Sequence, residues 1–327
     1  MKLILGNMTF GPQVDTRLGR SMVQRFFEAG YDELDSAYVY NEGAAEAMLG
    51  AILQDMPDSA LRVATKVHPR ITGRLDRDAV FTQLDESLRR LCRKSIDILY
   101  LHFPDPGTPV ENALEAVAEL HAQGKVLELG LSNYPAWLVV DIWHLCKEQG
   151  WPRPSVYQGR YNGLSRNVEK ELLPALRKLG MRFYAYNPLA GGLLAGRYTS
   201  FEKPEPGRFT LRQSYKKRYW NQTFFNSVTA LTNTCRELEI QPAEAAFRWL
   251  VHHSCLDVAQ GDGIILGASK LPQLEQNLAA AQHGPLPDAI VVAFDAAWDE
   301  ASACCPEYFQ FFAGQTEQNS TNLIARK

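Results

Sequence analysis

Four side chains able to move a proton together stand at the ends of short apolar runs: Asp35, Tyr40, Lys66 and His102. The runs are residues 31–34, 62–65 and 96–101, and Tyr40 follows Asp35 by five positions. A phenol is a poor acid at neutral pH, with an ordinary pKa of about 10. A lysine ammonium beside it favours the phenolate, and a carboxylate keeps that ammonium charged and oriented. An imidazole donates to a carbonyl oxygen or relays a proton. Together the four could protonate a carbonyl oxygen while a hydride arrives at carbon. Singly, each has a plainer account: a helix N-cap for Asp35, a loop aromatic for Tyr40, a surface charge for Lys66, a packed strand-end residue for His102. A Schiff base on Lys66, as in an aldolase, is a second chemistry open to a strand-end lysine.

The elements that must position these groups are legible as an alternation. Strand-like runs fall at 3–5, 31–34, 61–65, 96–101, 126–131, 155–157, 181–186 and 263–266, with amphipathic helical stretches between most of them. The first stretch sets Leu18, Met22 and Phe26 four apart and stops at Gly30; another puts Val80, Leu84, Leu88 and Leu91 on one face. Thr108-Pro109-Val110-Glu111 reads as a capping box with Pro at the first helical position, and Gly150 and Gly180 read as helix stops. Eight strands alternating with helices predict a parallel α/β protein, a closed (β/α)8 TIM barrel, in which strand C-termini converge on one mouth. An open doubly wound sheet would carry G-x-G-x-x-G after an early strand, and no such motif is present. Residues 1–312 are expected to form one domain and 313–327 a polar tail, with a long insertion between the seventh and eighth strands. That insertion holds Lys203-Pro204-Glu205-Pro206-Gly207 and the basic aromatic stretch Tyr215-Lys216-Lys217-Arg218-Tyr219-Trp220.

Bulk properties exclude several classes. Lys and Arg number 34 against 37 Asp and Glu, a net charge of −3, which gives no electrostatic reason to expect nucleic acid or an anionic membrane as partner. No apolar run approaches the ~18 residues of a transmembrane helix, and the N-terminal run reads as a first strand, so the expectation is a cytoplasmic protein. The six cysteines form no C-x-x-C pair and read as reduced, packed thiols. The adjacent His252 and His253 lack ligands at a supporting spacing, and no metal is expected.

A hydride needs a carrier, and the second half of the chain offers groups to hold one. Ser132 and Asn133 end the fifth strand and Gln158 the sixth, where amide side chains suit a carboxamide. Tyr186 ends the seventh, where a ring can stack on a flat heterocycle. The run Asn187-Pro188-Leu189-Ala190-Gly191-Gly192-Leu193-Leu194-Ala195-Gly196-Arg197 is a Gly-rich loop whose backbone can approach phosphate. It nearly mimics a Walker loop, but Arg197 and Tyr198 replace the Lys and hydroxyl that would reach phosphate and Mg²⁺. Arg197 and Arg208 could bind an extra phosphate, and a helix opening near Ser269 and Lys270 is a ready anion site.

The segments LDSAYVY, VATK, LYLHFPD, ELGLSNY, VYQGRYN, YAYNPLAGGLLAGRY and GASKLPQLEQN run in order along nearly the whole chain, which thereby resembles the aldo-keto reductases. NPLAGGLLAGRY, YKKRYW and CPEYF are similar to the aflatoxin aldehyde reductase subfamily, which includes succinic semialdehyde reductases. The resemblance implies an NADPH-dependent barrel enzyme reducing a small carbonyl substrate, and a homodimer. It places the catalytic tetrad on Asp35, Tyr40, Lys66 and His102, with Tyr40 as proton donor and His102 also orienting substrate. Asp35, Ser132, Asn133 and Gln158 would lie at the nicotinamide, Tyr186 would stack on it, and residues 187–197 would line the pyrophosphate. Arg197, Arg208, Ser269, Lys270, Gln273, Gln276 and Asn277 would hold the adenosine end, and Tyr215 and Arg218 would contact substrate. Two positions depart from the pattern. Arg197 stands where these relatives usually carry Lys, and Gln310 stands where the nearest ones carry a substrate-contacting Arg, so the resemblance alone does not carry a preference for acidic aldehydes. A slowly turning-over NADPH-binding module, as in potassium-channel β-subunits, is the alternative of another class.

Overall fold

A computed structural model describes residues 1–54, 56, 61–198, 201–202, 208–211 and 213–312. The 203–207 run and the 313–327 tail lie outside these residues. Eight parallel strands follow one another in chain order and close into a barrel. They are β1 (Lys2–Gly6), β2 (Glu33–Asp35), β3 (Arg62–Val67), β4 (Ile96–Leu101), β5 (Val126–Ser132), β6 (Pro154–Arg160), β7 (Arg182–Tyr186) and β8 (Gly263–Leu266). β4 and β8 occupy the residues that their apolar runs mark out. β2 is displaced toward Asp35, which pairs with Ala64 of β3.

The intervening helices follow the apolar spacing. Thr16–Glu28 buries Met22 and Phe26, and Arg77–Leu91 buries Val80, Leu84, Leu88 and Leu91. The second is capped by Asp76, whose carboxylate accepts from Ala79 N at 3.0 Å. Gly150 and Gly180 end their helices with positive φ, as read. The capping box at Thr108 does not form. The helix runs Val110–Ala122, and Pro109, with ψ 127, fills the N-cap position itself and has no side-chain acceptor to offer. The insertion between β7 and β8 is largely helical, with helices Arg208–Leu211, Gln213–Tyr219, Gln222–Glu237 and Pro242–His252.

The chain divides into two compact units. One comprises Met1–Leu3, Gly159–Pro174 and Phe183–Tyr308; the other comprises Ile4–Gln158, Ala175–Arg182 and the chain from Phe309. In the second unit, the early part of the strands is tied by charge. Glu128 accepts from Arg62 and Arg182, each at 2.6 Å, and from Ser155 Oγ at 2.5 Å. Burial opposes ionisation of Glu128, but these bonds prevail and hold its pKa down to about 2. In the first unit, Asp262 receives Phe183 N at 2.7 Å and Asp257 N at 2.9 Å, fastening the start of β8.

Of the six cysteines, all free, only Cys146 and Cys235 are buried; Cys92, Cys255 and Cys304 are exposed and Cys305 is half-buried, so packing accounts for fewer thiols than expected. His252 and His253 are taken up by backbone groups, the His283 carbonyl at 2.7 Å and the Leu286 amide at 2.9 Å. Among the described residues no helix is long and apolar enough to cross a membrane.

Candidate active site

Within the second unit, the ends of β2, β3 and β4 bring three members of the expected tetrad together, and the turn after β2 adds the fourth. Lys66, on β3, places its ammonium 2.7 Å from each oxygen of Asp35 and 2.5 Å from the Ser36 carbonyl. Its side chain is wholly buried. Burial lowers the Lys66 pKa, while the charges of Asp35 and Glu46 act against that fall. The same ammonium lies 5.1 Å from the centroid of the Tyr40 ring. His102, one residue past β4, meets Tyr40 edge-on with ring centroids 6.1 Å apart.

Tyr40 is held by a turn that is costly to build. Asn41 and Glu42 both adopt positive φ, a conformation that non-glycine residues rarely take. The turn is fastened from both sides. Asn41 Nδ2 donates to the Met8 and Phe10 carbonyls, each at 2.8 Å. The Arg90 guanidinium stacks 4.3 Å from the Tyr38 ring centroid and pairs with buried Glu46 at 3.2 Å. Glu46 also accepts from Thr65 Oγ1 at 2.6 Å, one residue before Lys66. Arg90 reaches this turn because Gly50 lets its helix approach: a Cβ there would lie 2.1 Å from the Arg90 carbonyl oxygen.

His102 is oriented by its neighbours. Its backbone N donates to Val67 O at 3.0 Å, and its carbonyl accepts from Asn133 Nδ2 at 2.9 Å. Burial, then the charges of His68, Lys66 and Arg70, push its pKa well below the usual histidine value. The ring therefore stays neutral near pH 7 and keeps an N–H to donate. His68, two residues past Lys66, packs edge-on to it at 5.1 Å, and burial lowers the His68 pKa to about 3. Gln83 clamps the His68 backbone through both its amide groups, at 2.8 and 3.2 Å. Glu46, Arg90, His68 and Gln83 escaped the reading of the sequence. Of these only His68 carried a signal, a titratable residue just beyond a strand end.

The expected carboxamide readers of this unit are also here, and they are tied to the tetrad. Gln158 Nε2 donates to Asp35 Oδ1 at 2.8 Å. Asn133, at φ +64, donates to Ser132 Oγ at 3.0 Å as well as to His102. The NH₂ donors of both amides are thus engaged within the protein, and their carbonyl oxygens together with the Ser132 hydroxyl proton are the groups that fit a carboxamide. Gln310 is exposed, and its backbone N donates to Asn133 O at 3.1 Å.

The first unit contains the remaining expected residues. Tyr186 closes β7 half-buried. Asn187, at φ +63, organises the loop after it: Oδ1 accepts from Gly191 N at 2.7 Å, and Nδ2 donates to the Tyr219 hydroxyl at 2.7 Å. Asn162 holds the Asn187 carbonyl at 2.9 Å, a clamp with no mark in the sequence. Residues Ala190–Ala195 form a 3₁₀ turn in which Gly191 and Gly192 take φ of 72° and 108°. A Cβ at Gly191 would stand 2.9 Å from the Tyr215 ring, so the loop also needs glycine for space. Arg218 sets its guanidinium 5.6 Å from the Tyr215 ring centroid. Arg197 is exposed beyond the turn. Arg208 begins a short helix, and its side chain is outside the described residues. Ser269, Lys270, Gln273, Gln276 and Asn277 form their own group at the helix Leu271–Ala280. Ser269 N and Oγ both donate to Gln273 Oε1, at 3.1 and 3.2 Å, and Lys270 provides no side-chain cap for the helix.

Comparison with known proteins shows the family. The profile described as the aldo/keto reductase family matches residues 2–299. The rat protein named aflatoxin B1 aldehyde reductase member 2 is 45% identical over 320 residues, covering 94% of this chain and 87% of its own length. The human aldo-keto reductase family 7 member A3 is 44% identical over 319 residues, covering 94% and 96%. The human aflatoxin B1 aldehyde reductase member 4 is 44% identical over 318 residues with the same coverage.

Proposed function

Since this chain belongs to the aldo/keto reductase family, an enzyme family, we propose that it reduces aldehydes to alcohols with NADPH as hydride donor and Tyr40 as proton donor. The observation that carries the reading is the buried Lys66–Asp35 pair set 5.1 Å under the Tyr40 ring, with His102 at its edge.

NADPH, when bound, supplies a hydride from nicotinamide C4 to the carbonyl carbon. The Ser132 hydroxyl and the amide oxygens of Asn133 and Gln158 would hold its carboxamide, and Tyr186 would stack on its ring. Asn187 to Arg197 would follow the pyrophosphate, where glycine lets the backbone approach phosphate closely. Arg197, Arg208, Lys270 and the helix start after Ser269 would take the adenosine end and its 2′-phosphate, with Gln273, Gln276 and Asn277 beside them.

The protein's own residues then manage the proton. The negative charge that grows on the carbonyl oxygen as the hydride arrives takes up the Tyr40 proton. The Lys66 ammonium favours the phenolate that remains, and Asp35 keeps the ammonium charged despite its burial. His102, held neutral, donates a hydrogen bond to the same oxygen and fixes its position. Tyr215 and Arg218 would contact the rest of the substrate.

Loss of absorbance at 340 nm with NADPH and a panel of aldehydes tests the activity. Tyr40→Phe is expected to keep NADPH binding, read by protein fluorescence, and to lower turnover by about 10²–10⁴-fold. Turnover unchanged in that variant overturns the role given to Tyr40.

A further inference from the structure

Within the second unit, His68 and His102 stand side by side at the ends of neighbouring strands. The β3–β4 register pairs Val67 with Leu101, and His102 N donates to Val67 O at 3.0 Å, so the next residue on each strand faces the other. Their rings meet edge-on with centroids 5.1 Å apart. His68 keeps extended backbone, with φ -137 and ψ 130, so it lies on the same side of the chain as Lys66 and further along toward the strand ends. Phe103 and Phe312 complete the surround, their ring centroids 4.9 and 6.3 Å from that of His68.

All but one of the polar atoms of His68 are engaged within the protein. Gln83 holds the backbone N and O, and ring Nδ1 accepts from Arg70 N at 3.1 Å. Burial keeps the ring neutral, and a neutral imidazole whose Nδ1 accepts carries its proton on Nε2. That Nε2–H meets no acceptor among the described residues, and the side chain is only 7% exposed. A nearly buried donor among aromatic rings needs an acceptor, and a molecule that displaces water from it must supply one or leave the donor unmet. His102 is arranged alike: its Nδ1 is buried with no partner among the described residues, which leaves Nε2 to meet a substrate.

We propose that His68 is a specificity-determining residue: its Nε2–H takes a second, uncharged acceptor oxygen of the substrate, so the site favours aldehydes with an ether or hydroxyl oxygen near the carbonyl. The proposal rests on the reductase reading, in which His102 holds the carbonyl oxygen itself. Two donors on rings 5.1 Å apart suit an oxygen set two carbons from the carbonyl carbon, as in an ortho-alkoxy aromatic aldehyde. His68 recognises this oxygen by a hydrogen bond and brings no charge to it. Packing of the His68 ring against His102, Phe103 and Phe312 is the competing account, and the experiment has to separate the two.

The test is the ratio of kcat/KM for 2-methoxybenzaldehyde over 4-methoxybenzaldehyde, measured by NADPH oxidation in the full chain. The two carry the same substituent, and only the first brings its oxygen beside the carbonyl. His68→Phe keeps a ring in place without the donor and is expected to lower the ratio by about tenfold. His68→Gln, which restores an N–H, is expected to retain most of it. A ratio unchanged in His68→Phe, or lowered equally in both variants, overturns the proposal and leaves His68 as a packing residue. Calorimetric titration with the methyl esters of 2-methoxybenzoic and 4-methoxybenzoic acid reads the donor without turnover. The natural protein is expected to bind the first ester about fivefold more tightly, and equal binding overturns the proposal. Absence of NADPH oxidation with every aldehyde would sink the reductase reading itself, and the ester titration would still decide the second donor.

Discussion

Lys66 and Asp35 face one another from neighbouring strands, the ammonium 2.7 Å from both carboxylate oxygens and the lysine side chain entirely out of solvent. Such a pair is weak evidence of stability, because desolvation offsets most of the attraction, but removing one partner strands the other. Lys66→Met is therefore expected to cost about 3–5 kcal/mol by urea unfolding. The double variant Lys66→Met/Asp35→Asn should recover much of that loss and none of the activity. A double variant no more stable than the single one would show that the stranded charge is not the cause.

Acid should weaken the fold through His68. The unfolded chain takes up a proton there near pH 6.5, whereas burial and the Arg70 charge keep the folded ring neutral down to about pH 3. Its contribution is complete above pH 6.5 and is lost as the pH falls toward 3, with a slope of about 1.4 kcal/mol per pH unit. His102 shifts in the same direction and steepens the loss. His68→Phe keeps a ring against His102 and Phe103 but removes one titration. Urea midpoints followed from pH 7 to pH 4.5 should fall less steeply in that variant, and parallel curves would contradict the assignment.

Gly50 sets how near the Arg77–Leu91 helix comes to the Tyr40 turn. An alanine there would put its Cβ 2.1 Å from the Arg90 carbonyl oxygen and 2.8 Å from the Leu91 carbonyl carbon. Backbone cannot yield as a side-chain tip does, so Gly50→Ala should cost about 2–3 kcal/mol or more. It should also lower kcat, since Arg90 would lose its place on Tyr38 and Glu46. An alanine variant as stable and as active as the natural protein would mean that the two helices part freely.

Arg197 is exposed. Arg197→Ala is expected to raise the Kd for NADPH by about tenfold and the Kd for NADH much less, as fluorescence titration would read. The NADPH affinity of the natural protein should fall as salt rises. Equal effects on the two nucleotides would place the 2′-phosphate elsewhere.

The strands were legible because each parallel strand is buried on both faces and reads as a short apolar run. The run at 96–101 coincides with β4 and that at 263–266 with β8. The tetrad was legible for a related reason: Asp35, Lys66 and His102 each sit where such a run stops, and a barrel turns strand ends toward one end. Side-chain contacts far apart in the chain had no such marker. Arg160 reaches a carbonyl 146 residues away and Arg90 a carboxylate 44 residues away, and nothing in local spacing announces either. Local chemistry also misled at Thr108, where a capping pattern was present but Pro109 took the cap position. The turn at Tyr40 was invisible because the Asn41 side chain is tied to the distant Met8 and Phe10 carbonyls and Glu42 takes a positive φ that its residue type disfavours.

Asp35 Oδ1 is shared, receiving Lys66 on one side and Gln158 on the other. Two adjustments that a protein engineer would wish to make separately are thereby geared together. On the roles proposed for Gln158 and Tyr40, redesigning Gln158 to accept a different nicotinamide analogue would remove a donor from Asp35 and so reset the acidity of Tyr40. Directed evolution toward a new cofactor should accordingly pass through variants whose pH optimum drifts before their cofactor choice does, and compensating changes should collect around Lys66.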